Sequence, residues 1–242
     1  LVDQWSVQTG LGVAHYRRLT VRWFNVGRQV SSPATMLFAG QEVTGQQFLI
    51  CEACGKLDSG SGANHPREHR AWCRHRRATE EHTRSIALAR ELVTQGLALG
   101  LPPGVTCDMH SVPGLAAALQ LGLREELGGA PDHLRVAVVP HPDGGDAGQV
   151  RPSLFLPDTV PGGPGYLTDP ADPTRLWRIL VRAGRLLEEC PCAEEGRACC
   201  YRCLAPYGRD VFRVDALRAV RALLGVEDGR PMADVAPEVV EW

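Results

Sequence analysis

Apolar and polar side chains alternate through residues 19–50, in the strings LTVRWFNVG, ATMLFAG and QEVTGQQFLI, with turn-forming residues between them. A period of two predicts short antiparallel strands, each with one buried face. The string IALARELV after Cys73 fits either a helix or a buried strand, and Pro102-Pro103-Gly104 ends it. Residues 113–127 predict a helix, because Pro113 suits a first turn, Leu115, Leu119 and Leu123 share a face, and Gly128-Gly129 follows. HLRVAVVP reads as a strand of the buried kind, PHPDGGDAGQ as a turn and SLFL as a second strand paired with the first.

The clearest helix runs from Thr174 to Glu189. Leu176, Ile179, Leu180, Ala183, Leu186 and Leu187 form its apolar stripe, and Arg175, Arg178, Arg182 and Arg185 form a second stripe elsewhere on the cylinder. Asp172 or Thr174 can cap its start, and Cys190-Pro191 ends it. A last helix over about 212–224 carries Val214, Leu217, Val220 and Leu224, and the tail beyond Gly229 reads as loose. The pattern as a whole is α+β: antiparallel strands with about three helices.

Composition adds bounds. With 242 residues and 44% apolar content, the chain can bury one ordinary core or two small ones. A net charge of −2 gives no global signal for nucleic acid. The charge is uneven, however: His65 to Arg90 holds seven arginines and four histidines against three glutamates, a local cationic patch that competes with the plainer reading of a solvated loop. No apolar run approaches the ~18–20 residues that span a bilayer, so no membrane partner is expected. The chain opens on Leu-Val-Asp, in strand-like sequence and with no secretory pattern. It reads as a piece of a longer polypeptide in a reducing, cytoplasmic compartment, where closely spaced cysteines favour metal over disulfides.

The cysteines carry the chemistry. Cys51-x2-Cys54 precedes His69-x3-Cys73, and Cys190-x-Cys192 precedes Cys200-x2-Cys203. Each set offers four soft N/S ligands, which a closed tetrahedral Zn2+ site requires. Two structural zinc ions are therefore expected. Cys199 competes with Cys200, though only Cys200 gives the CxxC spacing, and His65 and His75 compete with His69. In CEACG, Gly55 can supply the positive φ of a tight knuckle. Cys107 stands alone and reads as a small buried hydrophobe. Catalytic signatures are missing from the sequence: it has no HExxH, no GxSxG, no deaminase HxE with PCxxC, and no Walker A lysine after Pro161–Gly165. That PGGPG run reads as a structural turn.

The string LFLPDTVPGGPGYL, an amphipathic helix and then EECPCAEEGRACCYRCLAPY together resemble the MrfA-type zinc-binding (MZB) domain of bacterial superfamily 2 DEAD/DEAH-box helicases, also found in the DISARM protein DrmB. The residues that carry the likeness are Asp158, Pro161, Gly162, Gly163, Gly165 and the four C-terminal cysteines. Upstream, CEACG…HRAWC, LARELVTQGLALGLP and LAAALQLGLREELGG look like the region preceding that domain, so the likeness covers about residues 45–207. It implies a DNA-associated accessory domain of an ATP-dependent helicase or translocase, in DNA repair or phage defence. The doubled Cys199-Cys200 departs from the pattern. So does the lack of a Walker A or DEAH box, which puts ATP hydrolysis on a helicase core in cis or in trans.

On this reading residues 1–110 form a strand-rich region with the first knuckle, and residues 111–242 the MZB-like domain. Single-stranded DNA is the expected partner. Arg70, Arg74, Arg76 and Arg77 are the first candidate contacts, and Arg178, Arg182 and Arg185 the second, since phosphate neutralisation needs only placed cations. The rival expectation is a protein–protein adaptor of a DISARM-type complex.

Overall fold

In the computed structural model, the described residues are 1–27, 34–38, 41–45, 47–57, 69–77, 82–106, 110–128, 133–140, 152–162, 165–207, 211–227, 229–232 and 237–240. His65, Cys107, Gly163, Pro164 and all but the first residue of the turn PHPDGGDAGQ lie outside them. The chain forms two units: Leu1–Val21 with Leu92–Trp242, and Arg22–Glu91. The boundary expected at residues 110 and 111 falls inside the first unit. The chain passes from one unit to the other within a strand each time.

The first unit opens with β1 (Asp3–Val7) and β2 (Gly12–Asn25), an antiparallel pair in the register Trp5↔Val13. Gly10 turns the chain between them at φ 88°. Alternation sets the buried face: Trp5 and Val7 on β1, and Val13 and His15 on β2, are buried. The second unit contains β3 (Ala34–Phe38) and β4 (Gln41–Gly45), paired antiparallel, and β5 (Phe48–Cys51) and β6 (Thr83–Ile86), paired antiparallel. β3, β4 and β5 are short strands that the period of two predicts, while β6 lies beyond residues 19–50.

The string left open between helix and strand is strand: its first residue, Ile86, ends β6, and it enters β7 (Leu88–Gly100) at Leu88. Leu92, Leu97 and Leu99 are buried on it, while Leu88 is exposed. There follow α1 (Pro103–Thr106), α2 (Ser111–Leu127), β8 (Ala137–Pro140), β9 (Pro152–Pro157), α3 (Thr168–Ala171), α4 (Pro173–Glu188), α5 (Arg213–Leu224) and β10 (Val239–Val240). The sheet order is β10-β1-β2-β7-β9-β8. β8 and β9 pair antiparallel as expected, with Val138 opposite Leu154. β8 is not of the buried kind, though: it is an edge strand, and Val138 is 47% exposed.

The core lies among α2, α4 and α5 and beneath the sheet. α2 is more deeply buried than a one-faced helix would be. Besides Leu115, Leu119 and Leu123, it buries Val112, Ala117, Ala118 and Leu121, because α4, α5, β8 and β9 all pack on it. α4 follows its predicted stripe, with Leu186 half-buried, and Asp172 caps it by accepting the Arg175 N–H at 3.0 Å. On α5, Val220 and Leu224 are buried and Leu217 packs against the core as expected, but Val214 is exposed, and Ala216, Ala219 and Leu223 are buried as well. Small side chains are needed there because Gly114 of α2 lies against the Ala216 backbone.

The tail is not loose where it is described. Met232 is buried against Gly184, its carbonyl accepts two bonds from Arg185, and β10 pairs with β1. Among the described residues no helix is long and apolar enough to cross a membrane.

Candidate metal centres

In the second unit, β5 delivers Cys51 at its last residue, and the chain folds straight back. The Cys51 N–H donates to the Lys56 carbonyl at 2.9 Å and the Gly55 N–H to the Cys51 carbonyl at 2.8 Å. Gly55 takes φ 66°, the positive value expected of the knuckle glycine. A second turn, closed by the Cys73 N–H on the Arg70 carbonyl at 2.9 Å, presents His69 and Cys73. The ligand atoms of Cys51, Cys54, His69 and Cys73 all lie within 4.8 Å of one another. Cys51 Sγ is 3.7 Å from Cys73 Sγ, and His69 Nδ1 is 3.7 Å from Cys54 Sγ and 3.4 Å from Cys73 Sγ.

These distances test the fit directly. Zn–S bonds of about 2.3 Å in a tetrahedron put neighbouring sulfurs about 3.7–3.8 Å apart. The cluster matches that edge length. Of the competing histidines, His65 lies outside the described residues. His75 places Nδ1 3.7 Å from Cys51 Sγ but stacks on His82 and stays outside the four-atom set.

The second cluster grows from the end of α4. Cys190 follows the last turn, the short 3-10 turn Pro191–Ala193 carries Cys192, and Cys200 and Cys203 close a further turn through the Cys203 N–H on the Cys200 carbonyl at 3.1 Å. All four sulfurs again lie within 4.8 Å of one another. The separations are 3.4 Å for Cys190–Cys200, 3.3 Å for Cys190–Cys192, and 3.8 Å for both Cys192–Cys203 and Cys200–Cys203. Cys199 is half-buried and outside the set. The two sites differ in support. Cys190, Cys192 and Cys203 belong to the main core beside Leu187 and Leu204. Among the described residues the first cluster is a core by itself: Cys51, Cys54 and Cys73 are packed with Ala53.

The thiols within each set differ in how readily they ionise. The Arg70 N–H, then bonds from Lys56 and His69, bring the Cys54 thiol down to about 6 against its burial, while burial pushes Cys73 up. Burial likewise pushes Cys192 and Cys203 up. Burial also acts upward on Cys200, but Cys190 and the backbone of Arg202 and Cys203 outweigh it and leave the thiol at about 7. Cys54 and Cys200 thus ionise more readily than free thiols, while burial resists ionisation of Cys73, Cys192 and Cys203. A divalent cation at the centre removes that conflict, and thiolate with imidazole is a donor set that zinc accepts. With all four donors protein-derived, such an ion is structural and leaves no position for substrate.

The arginines predicted to meet DNA divide sharply. Arg70, Arg74, Arg76 and Arg77 are all exposed and share the short segment around Cys73. Arg178, Arg182 and Arg185 of α4 line an open cavity of about 330 Å³ together with Glu125 and Glu126 of α2. Arg178 pairs with Glu126 at 3.6 Å and Arg185 donates to the Met232 carbonyl, so two of these three cations already have partners within the fold. Asp158 is fully buried. Its Oδ1 accepts the Val160 N–H at 2.9 Å, and the Gly162 N–H reaches the Val93 carbonyl at 3.2 Å, so the start of the PGGPG run is pinned along β7 as a structural turn. Sequence reasoning passed over two exposed aromatics on the knuckles, Trp72 and Tyr201. Their placement between ligand residues was the available signal.

No curated protein matches the chain. A solved structure described as the DUF1998 helicase MrfA bound to DNA is similar to it at 16% identity and a TM-score of 0.49, covering 91% of this chain and 23% of that one. The chain therefore spans about a quarter of the length of that protein. Residues 115–204, which run from α2 through the whole four-cysteine cluster, match the family model of the MrfA Zn-binding domain, MZB.

Proposed function

We propose that this chain is a non-catalytic, zinc-stabilised module that works on DNA with an ATP-dependent helicase or translocase core, joined to it in cis or supplied in trans. The observation that carries the reading is the match of residues 115–204 to the MrfA Zn-binding domain, with a complete four-sulfur cluster inside the matched segment. Cys51, Cys54, His69 and Cys73 hold one zinc ion and Cys190, Cys192, Cys200 and Cys203 the other. Both are scaffolds, so the chain contributes surface rather than chemistry. Residues 111–242 serve as the MZB-like domain. The exposed arginines Arg70, Arg74, Arg76 and Arg77 neutralise phosphates of single-stranded DNA, with Arg182 the most available cation of the α4 group. Cytoplasmic DNA repair or phage defence is the setting.

Titration against a fluorescent single-stranded oligonucleotide at several salt concentrations tests this. Each neutralised phosphate contributes about −0.7 to the log–log slope, so three or four contacts give roughly −2 to −3. Replacing Arg74, Arg76 and Arg77 with alanine should flatten the slope and weaken binding across all sequences. A triple variant that binds like the parent at every salt concentration would acquit the patch. Salt-tolerant binding to a helicase subunit, with no DNA binding, would favour the DISARM-type adaptor instead.

A further inference from the structure

Trp72 is 67% exposed, although tryptophan is on average a highly buried side chain. Its exposure is built in. Trp72 stands one residue before Cys73 and three after His69, both members of the first ligand set, and the bond from the Cys73 N–H to the Arg70 carbonyl closes the turn across it. Among the described residues the buried cluster of this turn is three cysteines packed with Ala53, with no large apolar side chain to cover an indole. Arg70, Arg74, Arg76 and Arg77 are exposed around it, and no acid occurs from His69 to Arg77. Among the described residues none of these arginines forms an ion pair.

An exposed flat aromatic amid exposed guanidinium groups suits a polyanion that also carries exposed flat rings. Single-stranded nucleic acid is that ligand: phosphates meet arginines while a base stacks on the indole. A duplex buries its base faces in its own stack, and an acidic protein surface would satisfy the arginines but has no array of rings for the tryptophan. We infer that Trp72 is a base-stacking platform for single-stranded nucleic acid, an inference that rests on the DNA-associated reading above and adds the ring contact to it. Stacking is sequence-tolerant because every base has a π-face.

The test compares oligodeoxythymidylate with an abasic strand of the same length, using the full chain, Trp72→Ala and Trp72→Phe. The parent should prefer the base-bearing strand by about tenfold, and Trp72→Ala should lose most of that preference. Its salt slope and zinc content should stay at the parent's values, because no phosphate contact or ligand is removed. Trp72→Phe should recover most of the preference. Equal affinity of the parent for the two strands would overturn the stacking role without needing any variant. So would a Trp72→Ala protein that keeps the preference, or one that loses both strands alike. In each of these cases a steep salt slope would leave the DNA reading standing. A parent chain that binds neither strand at low salt would remove the DNA reading and the stacking role together.

Discussion

Gly122 of α2 lies directly against the backbone of Ile179 in α4: a Cβ at position 122 would collide with the Ile179 carbonyl oxygen and stand 3.0 Å from its Cγ2 and 3.2 Å from Ala183 Cβ. The two core helices meet there without room for a methyl group. Glycine weakens a helix interior by about 1 kcal/mol relative to alanine, and the close crossing outweighs that loss.

Gly122→Ala should therefore destabilise the protein by about 1–3 kcal/mol despite its better helix propensity, because the atom it strikes is backbone and cannot rotate away. Gly104 in α1 meets nothing within 4 Å, so Gly104→Ala is the matched control and should be neutral or slightly stabilising. Thermal unfolding followed by circular dichroism reads both. A neutral Gly122→Ala would show that the helices cross further apart.

Metal analysis should return two zinc ions per chain, falling to one in either Cys54→Ser or Cys203→Ser. Less than one equivalent in the parent would sink both sites.

Chelation should not affect the two units equally. The described buried apolar side chains of the second unit are the cluster cysteines, whereas the first unit keeps the packing of α2, α4 and α5. A chelator should therefore speed tryptic cleavage within residues 22–91 well before cleavage in α2 or α4, since metal binding there is folding free energy. Cleavage rates unaltered by chelation would mean that this unit is held by something other than metal.

Trp5 of β1 donates its indole N–H to the Ala171 carbonyl at 2.8 Å, a buried bond between residues 166 apart in sequence. Trp5→Phe leaves that carbonyl unpaired and should lower stability by about 1–3 kcal/mol in urea unfolding. A loss under 0.5 kcal/mol would indicate that water replaces the indole.

His15 is buried on β2, and burial, followed by Arg17 and against the pull of Asp3, holds its pKa below the usual 6.5. The folded state therefore disfavours the proton that the unfolded chain takes up near 6.5. The stability tied to neutral His15 is complete above that pH and declines as pH falls toward the lowered folded value. His15→Leu should flatten this part of the stability–pH curve. An unchanged slope would assign it to other groups.

Local chemistry was legible in the sequence because it depends on neighbours along the chain. CxxC and CxC spacings bring two sulfurs together within one turn, Gly55 can take the φ that such a turn needs, and a 3.6-residue period marks the apolar faces of α2 and α4 whatever they pack against. The closing of each ligand set was only an expectation until distant pairs met: Cys51 reaches Cys73 across 22 positions, and Cys192 reaches Cys203 across 11. Periodicity also counts apolar faces without saying how many partners cover them. Hence it described α2 as one-sided when α1, α4, α5, β8 and β9 all pack on it, placed Val214 inward, made β8 a buried strand and left Met232 in a loose tail. Trp72 marks the same limit from the other side. An indole beside two ligand residues reads alike in sequence whether buried or exposed, and only the structure shows it facing solvent, with three cysteines and Ala53 as the cluster's described apolar packing. Burial is a property of what surrounds a side chain in three dimensions, and the chain's order does not contain it.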